Sequence, residues 1–359
     1  MKKRKVLAVL LCAAMTAALA VGCGGSKGSD SSDKSSDSSS SSDDVITVGF
    51  SQVGAESDWR TANSQSMKDT FSKENGYDLI FDDAQQKQEN QITAIRNFIQ
   101  QEVDYILLAP VTETGWDTVL QEAKDADIPV IIVDRMVDVS DDSLYTTWIG
   151  TDALCEGRKA AEWLNGFAEA KGIAASDIHI ADIQGTIGST AQIGRTKGLE
   201  EGVDKYGWDL VAQQTGEFTQ AKGQEVMESI LKQSGDDIDV VYCENDNEAF
   251  GAIDAIKAAG YEVGGEEGQI LVMSFDTTNA GLTQTLSGEI TCDTECNPLH
   301  GPRVEEIIQK LEAGEDVDKQ AFVDEVAFAS DDTVTKVTID GTDYDITPIT
   351  QEIIDGRAY

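Results

Sequence analysis

Apolar runs alternate with amphipathic helical patterns along most of the chain. Several runs, such as Tyr105–Pro110 and Pro129–Asp134, are apolar almost without interruption. Between the runs, apolar residues recur at helical spacing, as Ile92, Ile95 and Phe98 do. Near-continuous apolar strands that alternate with helices are typical of parallel sheets covered by helices on both faces. The pattern predicts ten strands: Ile46–Ser51, Asp78–Asp83, Tyr105–Pro110, Pro129–Asp134, Thr146–Gly150, Ile178–Gln184, Leu210–Thr215, Val240–Asn245, Ile270–Asp276 and Ile290–Cys296.

Ten strands are enough for two such sheets. The chain has 359 residues, which at roughly 150 residues per domain also indicates two domains. The natural seam between them lies near Asp141–Gly150. We therefore expect an α/β protein with two lobes.

The N-terminus has the pattern of an export signal. Four basic residues, Lys2 to Lys5, precede the 16-residue apolar run Val6–Val21, which is shorter than the ~20 residues of a membrane-spanning helix. The run ends in Val21-Gly22-Cys23, which resembles a bacterial lipobox, although Ala20 stands where that motif prefers Leu. We predict a signal peptide over 1–22 and lipid on Cys23. The alternative is cleavage elsewhere, with Cys23 an ordinary thiol.

A low-complexity segment follows the predicted cleavage point. Residues 26–44 hold 11 Ser and 5 Asp in 19 positions. Such a composition cannot bury enough apolar surface to offset its ordering entropy, so we predict disorder over 23–44. About 20 flexible residues have a root-mean-square reach of roughly 25 Å. The segment would serve as a tether between the lipid and the folded body.

Composition excludes several classes of function. The chain has 27 Lys+Arg against 66 Asp+Glu, a net charge of −39, which repels nucleic acid and anionic membrane surfaces. We find no phosphate-binding GxxxxGK[ST], no GxSxG and no HExxH. Only two histidines, His179 and His300, are present. We therefore expect no enzyme, no catalytic residue, no metal and no cofactor.

Four cysteines remain after the predicted lipidation site. They are Cys155, Cys243, Cys292 and Cys296. Cys292 and Cys296 share one face of a predicted strand, but their Cα atoms would lie ~13 Å apart, too far for a disulfide without a bend. The CxxC spacing of zinc or redox sites is absent. We expect buried, mostly free thiols.

Polar and aromatic residues cluster where the predicted strands end. Asp134-Arg135, Asn245 and Asp276 are examples. Ligands of open α/β sheets bind at the carboxyl ends of strands. Planar Asp, Asn and Arg groups suit vicinal sugar hydroxyls, and aromatic faces suit the C–H side of a sugar ring. Each Asp or Asn taken singly is equally compatible with a helix N-cap.

Several segments together resemble the type I periplasmic sugar-binding proteins of ABC importers and, within them, the galactofuranose-binding branch. The resemblance covers about residues 46–302. It implies two Rossmann-like lobes, each a parallel sheet flanked by helices, joined by a three-crossing hinge with sugar bound between them. The segments are GFSQVGAESDWR, DAQQKQENQI, LLAPVTETGW, PVIIVDR, QGTIGSTAQIGR, GEFTQAKGQEVM and ENDNEAFGAI.

The resemblance also implies ligand residues. In the first lobe they are Glu56, Ser57, Trp59, Arg60, Gln86, Asp134 and Arg135; in the second they are Arg195, Phe218, Asn245 and Asp276. At the expected third hinge crossing, just before Pro298, either Glu295 or Asn297 would supply a polar contact to the ligand. We predict that Asn297 does so.

The resemblance implies lobes built from discontinuous segments. We expect the N-terminal lobe at 45–148 plus about 298–321, and the C-terminal lobe at 149–297 plus about 322–330. The acidic segment 331–359 departs from the resemblance, and we expect only a surface hairpin and a terminal helix there.

The expected role is a monomeric, lipid-anchored protein on the extracytoplasmic face of the membrane that delivers a monosaccharide to an ABC permease. Galactofuranose is the first choice of ligand, with arabinose or another pentose or hexose behind it. The alternative is a sensor that passes the sugar signal to a chemoreceptor or a kinase.

Overall fold

A computed structural model describes residues 45–359. The predicted signal peptide 1–22, Cys23 and the tether 23–44 lie outside the described residues. The strands are β1 Ile46–Gln52, β2 Tyr77–Asp83, β3 Tyr105–Leu108, β4 Val130–Val133, β5 Thr147–Gly150, β6 His179–Gln184, β7 Asp209–Thr215, β8 Val240–Cys243, β9 Leu271–Asp276, β10 Cys292–Glu295, β11 Gln320–Phe322, β12 Ala327–Ala329, β13 Lys336–Ile339 and β14 Thr342–Pro348.

The α-helices follow most of the strands in alternation. They are α1 Asp58–Thr70, α2 Gln88–Gln100, α3 Asp117–Asp125, α4 Ala153–Lys171, α5 Thr190–Tyr206, α6 Gln220–Ser234, α7 Asp246–Ala258, α8 Asn279–Ser287, α9 Gly301–Ala313 and α10 Gln351–Asp355. In the described part of the chain, none of these helices is both long enough and apolar enough to span a membrane.

The first lobe is built on a six-stranded parallel sheet in the order β11-β5-β4-β3-β1-β2. Successive residues of β3 enter opposite cores: Leu107 packs on one face of the sheet, and Ile106 and Leu108 pack on the other. Both faces are covered by helices, which explains why these strands are apolar throughout.

The second lobe is built on an eight-stranded sheet in the order β13-β14-β12-β10-β9-β8-β6-β7. Its pairs are parallel except β10–β12 and β13–β14. Val241 and Cys243 of β8 face one core, and Val240 and Tyr242 face the other. The expected α/β class with two helix-flanked sheets is confirmed.

The chain passes between the sheets three times: after β5, after β10 and after β11. The stretch before Pro298, expected to be the third crossing, is the second in chain order. Glu325 lies in the third crossing and connects it to the other two. Its Oε1 accepts hydrogen bonds from the Thr151 hydroxyl in the first crossing (2.8 Å) and from the Asn297 N–H in the second (2.6 Å).

All ten predicted strands are present, and four strands were not predicted individually. The expected hairpin and terminal helix of the C-terminal segment are β13–β14 and α10. The hairpin is not merely a surface feature, since β14 pairs with β12 and extends the second sheet. Its residues Val337, Ile339 and Ile346 are buried in that lobe's core.

Candidate functional site

A cleft lies between the carboxyl ends of the two sheets. Its free space is about 290 Å³ when the part open to solvent is included. Ten of the twelve predicted ligand residues line it: Glu56, Ser57, Trp59, Arg60, Asp134, Arg135, Arg195, Phe218, Asn245 and Asp276. Ala191 and Cys296, which the sequence did not point to, complete the lining.

Gln86 and Asn297 are not among the lining residues. Gln86 is half-buried with its backbone N–H bonded to Val53 (2.7 Å). Asn297 serves the hinge: its side-chain oxygen accepts a hydrogen bond from the Leu299 N–H at 3.0 Å, and its amide nitrogen lies 3.4 Å from Glu295. Their predicted role as ligand residues gains no support from this arrangement.

The first-lobe wall consists of Glu56, Arg60, Asp134 and Arg135. Ser57 caps α1 by accepting from the Arg60 N–H, which brings Arg60 to the mouth of the cleft. The Arg60 guanidinium donates to Glu56 (3.0 Å) and pairs with Asp134 (2.8 Å). Arg135 lies 3.8 Å from Glu56 and 4.0 Å from Asp134. All four side chains are at least nine-tenths buried, so this is a compensated ion network.

Mutual pairing keeps this network charged. Burial alone would raise the pKa of Asp134, but Arg60 and Arg135 outweigh it and hold that pKa below its ordinary value. Burial opposes the charge of Arg60, yet Asp134 and Glu56 raise its pKa. Burial and the neighbouring Arg60 lower the pKa of Arg135 to about 10, which still leaves it cationic at neutral pH.

Aromatic groups border this network. Trp59 donates from its indole N–H to the Cys296 carbonyl (2.6 Å), so it ties the first lobe to the hinge. The Phe218 ring reaches across from the second lobe, 5.3 Å from the Arg135 guanidinium. Gly185 makes room for that ring, since a Cβ at this position would overlap it.

The second-lobe wall consists of Arg195, Phe218, Asn245 and Asp276. Arg195, on α5, is fixed by the Glu156 carboxylate at 2.8 Å and lies 3.6 Å from Asp276. Burial opposes its charge, but Glu156 raises the pKa of Arg195 above its ordinary value. Helix α5 approaches α4 closely at this point, because a Cβ on Gly157 would overlap the Arg195 backbone.

Five further carboxyl groups lie buried behind this wall: Asp182, Glu244, Asp246, Glu248 and Asp293. Four of them accept from backbone N–H groups of loops at the carboxyl ends of the strands, and Asp182 accepts from the Gln213 side chain (3.2 Å). Glu244 accepts from the Gly185 N–H and Glu248 from the Phe218 N–H, each at 2.8 Å. Burial raises the pKa of each of the five groups, to about 8 for Asp182 and about 6 for Asp246.

Asp276 stands on a strained loop that two of these groups support. Asp276 and Thr277 have φ angles of 106° and 56°, a region that non-glycine residues seldom adopt. Asp293 accepts from the Thr277 N–H (3.2 Å) and Asp246 from the Thr278 N–H (2.8 Å). These two hydrogen bonds hold the loop in place. Asp276 itself is buried, which raises its pKa.

The two lobes touch across the cleft. The Asp58 N–H donates to Asn247 (2.9 Å), the Met136 N–H to the Thr190 hydroxyl (2.7 Å), and the Glu113 N–H to the Gly188 carbonyl (3.0 Å). The cleft is therefore closed over its cavity. A small molecule held there would contact both lobes.

One group of potential metal ligands occurs among the described residues. Donor atoms of Glu156, Cys296 and Glu325 lie within 4.8 Å of one another at the hinge. Glu156 is paired with Arg195 and Glu325 accepts from Thr151 and Asn297. These partners account for the cluster as a hinge contact. Cys155, Cys243, Cys292 and Cys296 are free thiols.

Two lobes around a closed, polar cleft define a small-molecule-binding protein of the two-lobed, hinged class. The sequence profile of the periplasmic binding protein domain matches residues 48–294. The chain belongs to this periplasmic binding protein family, whose members capture solutes outside the cytoplasm. It is a solute-binding protein and not an enzyme.

Individual relatives agree with this membership. The chain is 42% identical over 261 residues to the galactofuranose-binding protein YtfQ of Escherichia coli (strain K12), covering 72% of this chain and 79% of the relative. A Mycobacterium smegmatis protein in complex with β-D-fucofuranose is 43% identical, with a TM-score of 0.75 over 80% of this chain and 92% of that one. The arabinose transporter component of Shewanella sp. ANA-3, bound to L-arabinofuranose, is also 43% identical, with a TM-score of 0.73 and coverage of 80% and 93%.

Proposed function

We propose that the protein captures a neutral monosaccharide between its lobes, with a galactofuranose-like sugar as first choice, and delivers it to an ABC permease. The observation that carries the proposal is the pairing of planar groups across the cleft. Arg60, Asp134 and Arg135 face Arg195 and Asp276 around one small cavity. Paired donors and acceptors of this kind suit a ring of vicinal hydroxyls.

The electrostatics favour a neutral ligand over a sugar acid. Each cleft guanidinium already has a carboxylate of the protein within 4.0 Å: Arg60 has Glu56 and Asp134, Arg135 has Asp134, and Arg195 has Glu156. A ligand carboxylate would compete with these partners and add negative charge beside them. A hydroxyl instead donates to a carboxylate and accepts from a guanidinium at the same time.

One of the lining residues carries an acceptor that lacks a partner. Glu56 Oε2 is buried and has no hydrogen-bond partner among the described residues. A buried acceptor without a partner is costly, and a sugar hydroxyl would satisfy it. Named relatives supply the sugar class: they bind galactofuranose, fucofuranose and arabinofuranose.

Calorimetric titration against a panel tests the ligand class. The panel holds D-galactose and L-arabinose, D-glucose as a sugar of pyranose form, and D-galacturonate as the acid. We expect the strongest binding among the sugars that form furanose rings and the weakest for galacturonate. A preference for galacturonate would overturn the assignment.

Delivery to a permease is the second part of the proposal. It is supported by family membership and by the named relative that is an arabinose ABC transporter component. Deletion of the gene should abolish uptake of the bound sugar at low concentration. Normal uptake, with loss of a response to the sugar instead, would favour the sensor role.

The lipid anchor is the third part, and it is supported by the sequence around Cys23. Mass spectrometry of the native N-terminal peptide should show a lipid-modified Cys23. Cys23→Ala should move the protein from the membrane fraction to the soluble fraction. An unmodified Cys23, or cleavage elsewhere, would contradict the anchor.

A further inference from the structure

The segment that follows α10 contacts the loop after β9, next to the cleft residue Asp276. Helix α10 packs its Ile353 and Ile354 against a small apolar cluster of Leu282, Phe328 and Ile349. Beyond the helix, Arg357 and Tyr359 turn toward the carboxyl end of β9. Both residues lie outside the matched family region, which ends at residue 294.

Arg357 binds the loop that carries Asp276. Its guanidinium donates to the Thr277 carbonyl (3.0 Å) and to the Thr277 hydroxyl. The Asn279 N–H, on the other side of this loop, donates to the Tyr359 carbonyl (2.8 Å). Thr277 is therefore held from two sides, by Arg357 and by Asp293. This matters because Asp276 and Thr277 occupy the strained positive-φ region.

The same segment binds the hinge. Arg357 pairs with Glu295 at 3.0 Å, and the Tyr359 hydroxyl donates to the same Glu295 oxygen at 2.8 Å. The other oxygen of Glu295 accepts from the Val326 N–H (3.0 Å), in the third crossing. Glu295 thus joins the second crossing to the third. The Arg357 side chain is 12% exposed and that of Glu295 7%, so the pair is sheltered from water.

We propose that Arg357 and Tyr359 are positioning residues of the ligand site. They hold Thr277 and Glu295, and through them keep Asp276 and two hinge crossings in the geometry that binds the sugar. The inference rests on the proposed sugar site, because Asp276 is one of its ligand residues.

The test measures affinity and dissociation rate for L-arabinose and D-galactose by calorimetry and stopped-flow tryptophan fluorescence, far below the melting temperature. R357A should weaken binding about tenfold, mainly through faster dissociation, since charge-assisted hydrogen bonds to the loop are lost. R357K, which keeps the charge toward Glu295 but not the forked contact with Thr277, should recover part of the affinity. Y359F should have a smaller effect in the same direction.

R158A is the matched control. Arg158 also forms two ion pairs in this lobe, with Glu201 (2.6 Å) and Asp340 (2.9 Å), but it does not line the cleft. It should bind sugar normally. In the double variant R357A/D276A, the loss of affinity relative to D276A should be smaller than the tenfold loss caused by R357A in the wild type, because Arg357 acts in part through Asp276.

The outcomes separate the inference from the proposed site. If D276A loses affinity while R357A binds and releases sugar as the wild type does, the inference is overturned, even if R357A melts earlier. If D276A itself binds sugar normally, the proposed site is refuted, and so is the inference, which rests on it.

Discussion

The two walls of the cleft achieve rigidity in different ways. The first-lobe wall pairs two arginines with two carboxylates, so that every charge has a partner within 4.0 Å. The second-lobe wall has one arginine, and four of the five buried carboxyl groups behind it, all but Asp182, accept from backbone N–H groups. In the first-lobe wall, ion pairs fix the side chains. In the second-lobe wall, buried carboxyl groups fix the backbone loops.

The difference predicts different responses to charge and to pH. A compensated ion network stays charged near neutral pH but fails when one partner is removed. A buried carboxyl group with a raised pKa is compatible with the fold while it is protonated. Its ionisation lowers the free energy of unfolding. The predictions below test this contrast between the walls.

Removal of a partner from the first-lobe wall should have the largest effect. Asp134→Ala leaves the buried Arg60 and Arg135 without a shared carboxylate, a loss of about 2–5 kcal/mol. Sugar affinity measured by calorimetry should fall roughly 30-fold or more, and Arg135→Ala should behave similarly. Arg96→Ala, which breaks the exposed pair with Glu122, is the control and should leave affinity unchanged. Normal binding by Arg135→Ala would refute the site assignment.

The second-lobe wall should make stability depend on pH. An unfolded Asp has a pKa of ~3.9, whereas burial raises the pKa of Asp246 to about 6 and that of Asp182 to about 8. Between these values the folded protein keeps protons that the unfolded chain has released, so the free energy of unfolding falls as pH rises. Each titrating group contributes up to about 1.4 kcal/mol per pH unit.

Urea unfolding at pH 5 and pH 8.5 measures this slope. Asp182→Asn should flatten it, whereas Asp204→Asn, on the exposed face of α5, should not. The lowered pKa of Asp134 works in the opposite sense: its contribution is complete above pH ~4 and is lost in acid. Equal stability at pH 5 and 8.5 would mean that the second-lobe carboxyl groups are ionised in the folded protein.

An intermediate effect is expected at Trp59. Trp59→Ala removes an aromatic face from the cleft and the bond to Cys296, and should cost about 1 kcal/mol of binding, or roughly fivefold. Trp59→Phe keeps an aromatic face and should cost less. Unfolding should remain cooperative in both variants. Identical affinity in all three proteins would show that no ring stacks on Trp59.

The smallest effect is expected where predicted ligand residues do not line the cavity. Gln86→Ala and Asn297→Ala should each change affinity by less than about threefold, because neither side chain reaches the space between the walls. A large loss in Gln86→Ala, with normal stability, would place Gln86 in contact with the sugar.

Much of the fold was predictable because strands of four to seven residues carry a readable apolar pattern. The two strands that flank the third hinge crossing were not. Strands β11 and β12 have three residues each, too few for any periodicity, and they are defined by pairing with β5 and β10. Their positions depend on tertiary contacts that no local window contains.

The residues that line both walls were predicted. Those of the first-lobe wall stand in the polar segments after β1 and β4, and resemblance supplied the roles in both walls. Ala191 could have been predicted as a lining residue, because it lies one helical turn before Arg195. The carboxyl groups behind the second wall could not be predicted, because in the sequence Asp246 and Glu248 resemble the acidic first turn of an exposed helix. Only the approach of neighbouring loops buries them.

Small-angle X-ray scattering with and without sugar tests the central claim, that two unlike walls close on one neutral monosaccharide. Because each wall supplies contacts, L-arabinose or D-galactose at saturation should shift the protein from an open toward a closed form and reduce its radius of gyration. In Asp134→Ala the same sugar concentration should produce little compaction. An unchanged radius of gyration in the wild type at saturating sugar would contradict capture by closure.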